Sequence, residues 1–342
     1  MTDLYHPVKI GNIKLKGNLF LAPVAGYSDV AFRSVCIENG ACFTYTEMVS
    51  AEALVRKNIK TETLMRRACN EKAYAVQIFG GEPQIMADAA RIVYEKTHCE
   101  CIDINCGCPV PKIIKTGAGS ALTRDPDRLF KVVEAVVGAL RQAQGPHNSV
   151  IPVTVKIRSG WEQKLITWRE AAQAALDAGV SAITIHPRTK AQGYEGHSDW
   201  DIMRQLVDMV AGRVPVFGSG DLFKPEDARA MLEQTGADAV MFARGAMGNP
   251  FIFRDTTSLL TTGTYEPVPA DIRIKTGFAE LERLAAETNE QHACLEMRKR
   301  FHAYSKGIPN GGPIRNAIVH ASTIEEYHKI FDGVLAGVYT GV

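Results

Sequence analysis

The sequence predicts a parallel (β/α)8 barrel, a TIM barrel, followed by an all-helical C-terminal domain. Three observations lead there. Eight short β-branched or apolar runs alternate with amphipathic stretches between about residues 18 and 250. Polar residues recur at one parity of four successive runs, and glycine-bearing turns follow the seventh and eighth. After Phe253 the strand signals stop and only helical periodicity remains.

The eight runs are LFLAP (19–23), ACFTYTEM (41–48), YAVQIF (74–79), CIDINCG (101–107), PVTVKIRSG (152–160), SAITIHPR (181–188), VPVFGSGD (214–221) and AVMFARG (239–245). Helix signals separate them: PQIMADAARIVYEK (83–96) with proline near its start, DPDRLFKVVEAVVGAL (125–140), TWREAAQAALDAG (167–179) and KPEDARAMLEQTG (224–236). The last two end in glycine, which suits a left-handed C-terminal residue. Strand–helix alternation implies a parallel sheet, and eight strands close a barrel. A doubly wound open sheet is the competing architecture; the one-sided polarity of the strands disfavours it. Beyond Gly263, Pro267 and Pro269, helices are expected over 271–291, 294–307, 312–322 and 323–337. The expected division is 1–254 for the barrel and 255–342 for the helices.

A chain of 342 residues with 46% hydrophobic and 23% charged residues can bury a large core. Its net charge of +1 leaves no global basic field, so any nucleic-acid contact must come from local patches. The eight cysteines show no zinc spacing, and no metal site is expected. Reduced thiols in a cytoplasmic protein are the expected state. The N-terminus lacks the apolar segment of a signal peptide, and no apolar run approaches the ~20 residues that span a bilayer. A monomer is the default expectation.

Side chains alternate across a strand, so one parity of each barrel strand faces the helices and the other the barrel axis. Val76 and Ile78, Ile102 and Ile104, Val153, Val155 and Ile157, and Ile183 and Ile185 belong under the helices. The opposite parity turns Gln77, Asn105, Lys156 and His186 inward near strand C-terminal ends, where barrels of this class carry their sites. Alone, a strand histidine is usually a hydrogen-bonded core residue and a strand-end lysine reaches water. Four polar groups at matching positions point instead to a polar ligand that satisfies them. GSGD (218–221) and ARGAMGNP (243–250) follow strands seven and eight, the usual phosphate corner, where Arg244 adds charge. Turn glycines alone would be the plainer reading. A phosphate-bearing cofactor is the better one, and FMN fits, with its ring over the barrel and its phosphate at the corner.

INCGCPVPKIIKTGAGSAL (104–122) is the most distinctive stretch. Cys108 lies just past strand four and can lean over a cofactor; a thiol near its reference pKa of about 8.5 is mostly protonated at neutral pH and can donate. Cys106 shares the parity of Ile102 and Ile104 and is assigned to packing.

With these motifs in place the chain resembles the tRNA-dihydrouridine synthases, in particular their bacterial B-type subgroup. LAPVAGYSD (21–29), VQIFGGEP (76–83), DINCGCPVPKI (103–113), GAGSALTRDP (117–126), VKIRSGW (155–161), TIHPRT (184–189), GSGDL (218–222) and ARGAMGNPFIF (243–253) carry the resemblance. The Gly-Cys-Pro loop with GAGSAL is its most specific part. The resemblance implies bound FMN, NADPH as reductant, and a uridine in folded tRNA as substrate. It implies hydride transfer from reduced flavin to uracil C6 and a proton from Cys108 to C5. It also implies that Pro23, Val24 and Ala25 line the flavin, that Gln77 bonds its ring, and that Lys156 and His186 reach the ring or its ribityl phosphate. Ser219, Gly220, Asp221, Ala243 and Arg244 would hold the phosphate, and Asn105 would order flavin or uracil. Two positions depart from the pattern: Ser219 stands where asparagine is usual, and Val24 where methionine is usual.

The C-terminal segment 297–320 carries Arg298, Lys299, Arg300, Lys306 and Arg315 with no acid among them. A solvated helix face explains such a run, but the resemblance favours RNA binding there. Lys112 and Lys115 beside the cysteine loop are expected on phosphates, and Arg56, Lys57, Arg66 and Arg67 form another candidate surface. Three alternatives stay open: a ribosomal RNA substrate, a small-molecule FMN reductase of the dihydroorotate or dihydropyrimidine dehydrogenase kind, and an RNA-binding protein that has lost catalysis.

Overall fold

The computed structural model describes residues 3–143, 150–309 and 311–336. Residue 337, where the last helix was expected to end, and the outer ends of both expected domain spans lie outside them.

Eight parallel strands form the barrel: β1 (Leu19–Leu21), β2 (Phe43–Tyr45), β3 (Tyr74–Phe79), β4 (Cys101–Cys106), β5 (Val153–Glu162), β6 (Ala182–Thr189), β7 (Val216–Ser219) and β8 (Ala239–Phe242). Each pairs with the next, and β8 pairs with β1, which closes the sheet. The alternating pattern that predicted parallel strands is therefore realised as a closed barrel rather than an open sheet.

Strand parity sorts the core into two layers. Leu19, Leu21, Val76, Ile78, Ile102, Ile104, Val155, Ile157, Ile183, Ile185 and Val240 join the cluster between strands and helices. The helix Pro126–Ala143 answers with Leu129, Val132, Val133, Val136, Val137 and Leu140, one buried stripe at i, i+3, i+4, i+7 spacing. Inside the barrel the opposite parity supplies Phe20, Phe43, Tyr45, Ala75, Cys101, Phe217 and Met241. Phe20 meets Phe217 edge-to-face at 5.1 Å and Phe43 at 5.8 Å, so aromatic rings fill the N-terminal half of the barrel. Val8, Ile10 and Leu15 of a short hairpin (Val8–Ile10 with Ile13–Leu15) join that cluster. Polar side chains are left for the C-terminal half.

β5 runs beyond its expected end at 160 and folds back against Leu165–Ile166. β2 is shorter than its run, because the next N–H of β3, that of Gln77, goes to the Thr46 hydroxyl at 3.1 Å. The helix Ile252–Thr262 spans the expected 254/255 boundary and packs Ile252 and Phe253 onto the barrel cluster.

Beyond it lie helices Ala270–Glu287, Glu290–Tyr304, Gly311–Ile318 and Ile324–Leu335. Their shared core is aromatic: Phe301 lies 5.3 Å from Phe278, 4.8 Å from Tyr327 and 5.1 Å from Phe331. Polar contacts tie them to the first barrel helix (Val30–Glu38), through Arg283 to Glu38 and Arg300 to Asp29. No helix among the described residues is long and apolar enough to cross a membrane.

Candidate active site

Above the aromatic filling, the C-terminal ends of the strands surround a cavity of about 470 Å³. Cys108 and all twelve residues expected to hold a cofactor line it. They come from the loops after β1, β4, β7 and β8, from the end of β7, and from inward positions of β3 to β6, where period-two alternation turns them to the axis.

Lys156 sits at the inward register of β5, beside Thr184 of β6 and Asn105 of β4. It is half-buried and makes no hydrogen bond or ion pair among the described residues. Burial first, and then the neighbouring Arg158, bring its pKa down to about 8, against the opposing pull of Asp103. His186 is held well below its usual pKa by desolvation and by Lys156, Arg158, Arg188 and Arg244, so its imidazole is neutral. Its Nε2 lies 3.2 Å from the Arg188 guanidinium, which suits an accepting nitrogen.

Arg158 and Arg188 were not singled out from the sequence, yet both shape the site. Each stands two residues beyond an identified one, Lys156 and His186, so continuing the same alternation would have found them. Arg158 is buried and donates to the carbonyls of Gly107, Thr189 and Gly193, joining the cysteine loop to the loop after β6. Arg188 is buried too and grips both Asp221 carboxylate oxygens at 2.8 Å. Tyr194 and Phe223 were also missed. They flank the Arg244 guanidinium at 4.6 and 5.0 Å from their ring centres.

At the corner after β7 and β8, the backbone N–H groups of Gly220, Asp221 and Ala243 have no partner among the described residues. Gly220 adopts φ +121°, and a Cβ there would lie 2.4 Å from Ser198 Oγ and 2.8 Å from His186 Cδ2. The Asp221 carboxylate is engaged by Arg188 and the Ser198 N–H, so its backbone N–H is the group it turns free toward the corner.

The cysteine loop is tied down at several points. Ser120 donates from its N–H to the Cys108 carbonyl and from its hydroxyl to the Gly107 carbonyl. Asn105 accepts the N–H groups of Gly107 at 3.1 Å and Cys108 at 2.9 Å and donates to Gln77 at 2.8 Å. Its amide is thus bonded within the protein at the cavity wall. Cys108 is 8% exposed, and burial pushes its thiol pKa up, so it is protonated at neutral pH. Cys106 lies in the outer layer with Ile102 and Ile104, and burial raises its thiol further.

Of the expected RNA contacts, Lys112 and Lys115 are exposed on and beside the short helix Pro111–Ile114 that follows Cys108. Lys299 is exposed; its ammonium reaches the Gly26 carbonyl at 3.0 Å, Glu296 at 2.6 Å and the ring of Tyr27, a cavity residue. Lys306 is exposed, while Arg298 and Arg315 are half-buried, with Arg298 donating to the Ala321 carbonyl. Arg300 overturns its expectation. It is 1% exposed, bonded to Asp29 and at 2.5 Å to Glu280, so no phosphate reaches it. Of the other surface, Arg66 pairs with Glu287 and Arg67 with Glu100.

The dihydrouridine synthase (Dus) family model matches residues 20–334. A probable tRNA-dihydrouridine synthase of Treponema pallidum (strain Nichols) is 56% identical over 329 residues, 96% of each chain. The tRNA-dihydrouridine synthase B of Escherichia coli (strain K12) is 39% identical over 303 residues, 88% of each. Among solved structures, histamine dehydrogenase from Rhizobium sp. 4-9 aligns with a TM-score of 0.54 at 14% identity, covering 82% of this chain and 51% of that one. The DHODH of Eimeria tenella in complex with ferulenol aligns at 0.53 and 14%, covering 74% and 82%. At such identities the structural likeness speaks for the barrel alone.

Proposed function

The chain belongs to the dihydrouridine synthase family, and from that premise we propose that it reduces uridine to 5,6-dihydrouridine in transfer RNA, with bound FMN, NADPH as reductant and Cys108 as the acid. The relatives that carry this activity in their names cover almost the whole chain. One observation carries the chemical part: a protonated thiol, with a lysine and a corner of N–H groups that have no partner among the described residues, share a single cavity.

These residues fit FMN. The N–H groups of Gly220, Asp221 and Ala243 with the Arg244 guanidinium suit its phosphate, and Ser219 contributes backbone without the usual asparagine. Lys156 and neutral His186 suit the ring and ribityl oxygens, one as a charged donor and the other as a neutral partner. Gln77 has one amide hydrogen left for the ring, and Pro23, Val24 and Ala25 supply an apolar wall. Bound, FMN would supply the hydride for uracil C6, with electrons drawn from NADPH.

The chain's own part is acid catalysis and positioning. Cys108 Sγ holds the proton destined for uracil C5, and its burial keeps that proton in place at neutral pH. Arg158 and Ser120 hold the loop carbonyls, so the thiol stays at the cavity edge. The uridine must leave its stack to enter. Lys112, Lys115 and Lys299 lie near the mouth and suit the phosphates of the folded RNA, with Lys306, Arg298 and Arg315 further along the helices. The enzyme acts in the cytoplasm in this reading. Mapping dihydrouridine in RNA from cells with and without the gene tests it: sites should vanish from tRNA, whereas loss from ribosomal RNA alone would contradict the reading.

A further inference from the structure

Beneath the cavity a row of hydrogen bonds runs across three strands. Thr154 of β5 donates to Asp103 Oδ1 of β4 at 2.6 Å, and Gln77 of β3 donates its amide hydrogen to Asp103 Oδ2 at 2.6 Å. Gln77 Oε1 accepts from Asn105 Nδ2 at 2.8 Å, and Asn105 Oδ1 accepts the N–H groups of Gly107 and Cys108. Asp103 is fully buried and does not itself line the cavity, which it meets only through Gln77 among the described residues.

The two ends of this row leave no freedom in the middle. Burial raises the Asp103 carboxyl pKa to about 6, against the hydrogen bonds from Thr154 and Gln77, so at neutral pH it is mainly ionised; an ionised carboxylate only accepts, and a backbone N–H only donates. Between them stand two primary amides, each able to turn end for end. With Asp103 accepting, Gln77 must show it NH2, which leaves its oxygen facing Asn105. Asn105 must then show NH2 to Gln77, which leaves its oxygen facing the loop N–H groups. The loop demands that same direction from the other end. Turning either amide sets oxygen against oxygen on one side and donor against donor on the other, in a site where an unmet polar group is costly.

We infer that Asp103 is a positioning residue: by fixing the direction of the Gln77 and Asn105 amides, its carboxylate holds the Cys108 loop at the cavity edge. The inference rests on Cys108 being the acid in the reaction proposed above, although the loop geometry itself does not depend on that.

The direction of the row can be reversed by design. Asn105→Asp keeps an acceptor for the loop but turns an acceptor on Gln77 Oε1, so both ends of Gln77 then face carboxylates. Adding Asp103→Asn supplies a donor at the far end and lets Gln77 turn round. In the full-length protein, the rate of Cys108 alkylation by iodoacetamide is read by mass spectrometry of its peptide, with exposed Cys69 as internal reference. Asn105→Asp should raise the Cys108 rate about tenfold, the scale of one lost buried hydrogen bond. The double variant Asp103→Asn/Asn105→Asp should return it to within about threefold of wild type. Asp103→Asn alone can show either end of its amide to Gln77, so it should raise the Cys108 rate by a smaller factor, about threefold, with an unchanged Cys69 rate as the control for folding. A double variant no better protected than Asn105→Asp would overturn the inference, as would an Asn105→Asp protein with unchanged Cys108 reactivity. An active Cys108→Ala protein would instead remove the reaction assignment and leave the alkylation result standing.

Discussion

Replacing Arg300 with methionine separates two readings of the basic C-terminal segment. A phosphate-binding arginine would be expendable for folding; a buried one is not. Arg300 bonds Asp29 at the start of the first barrel helix and Glu280 within the helical core, and Glu280 is fully buried with the Tyr304 hydroxyl, at 2.6 Å, as its one other partner among the described residues. Removing the guanidinium leaves that carboxylate without a counter-charge, and breaking such a buried pair costs about 3–5 kcal/mol. For a chain of this length the unfolding entropy is roughly 0.7 kcal/mol per degree, so Tm should fall by about 4–7 °C in a thermal melt. Glu280→Leu in the Arg300→Met background should restore about half or more of that loss, because an apolar pair replaces the stranded charge. The slope of RNA affinity against salt, measured below the transition, should be unchanged. An unaltered Tm together with a slope reduced by about one phosphate would refute the structural role.

Three further outcomes follow from the cavity and its rim. Lys156 is a cation below about pH 8 and neutral above it, so FMN affinity, followed by quenching of flavin fluorescence, should fall as pH rises through about 8, and Lys156→Met should flatten the profile. The same depressed value means the unfolded chain keeps this proton longer, so this lysine's contribution to ligand-free stability rises between about pH 8 and about 10.4. Gly220→Ala puts a Cβ against Ser198 and His186 at φ +121°, which should cost about 1–3 kcal/mol in denaturant unfolding and weaken FMN binding; unchanged flavin affinity would contradict the corner's assignment. Lys299→Ala should weaken tRNA binding and lower the salt slope by roughly one phosphate without moving Tm, in contrast to Arg300→Met.

Strand alternation made the barrel legible, because eight β-branched runs between amphipathic helices leave few other ways to bury both faces. The same alternation turned Gln77, Lys156 and His186 inward and Cys106 outward. What stayed hidden depends on partners far along the chain. Segment 297–320 looks free of acids, yet Arg300 meets Asp29 and Glu280, 271 and 20 residues away. Asp221 sits where a phosphate-corner residue belongs, but Arg188 from β6 claims its carboxylate. Asn105 has the right parity for a ligand contact, yet its hydrogen bonds go to Gln77 and its own loop, which only the three-dimensional turn at Gly107 brings within reach. The Tyr194 and Phe223 rim lies on loops, where periodicity carries no signal.

The central claim is that Cys108, and not Cys106, delivers the proton in a flavin-dependent reduction of tRNA uridine. The direct measurement is dihydrouridine formed in unmodified tRNA by purified protein with FMN and NADPH. Wild type and Cys106→Ala should both form product. Cys108→Ala should bind FMN with wild-type absorbance near ~450 nm and form none. A Cys108→Ala protein that turns over at the wild-type rate would contradict the account.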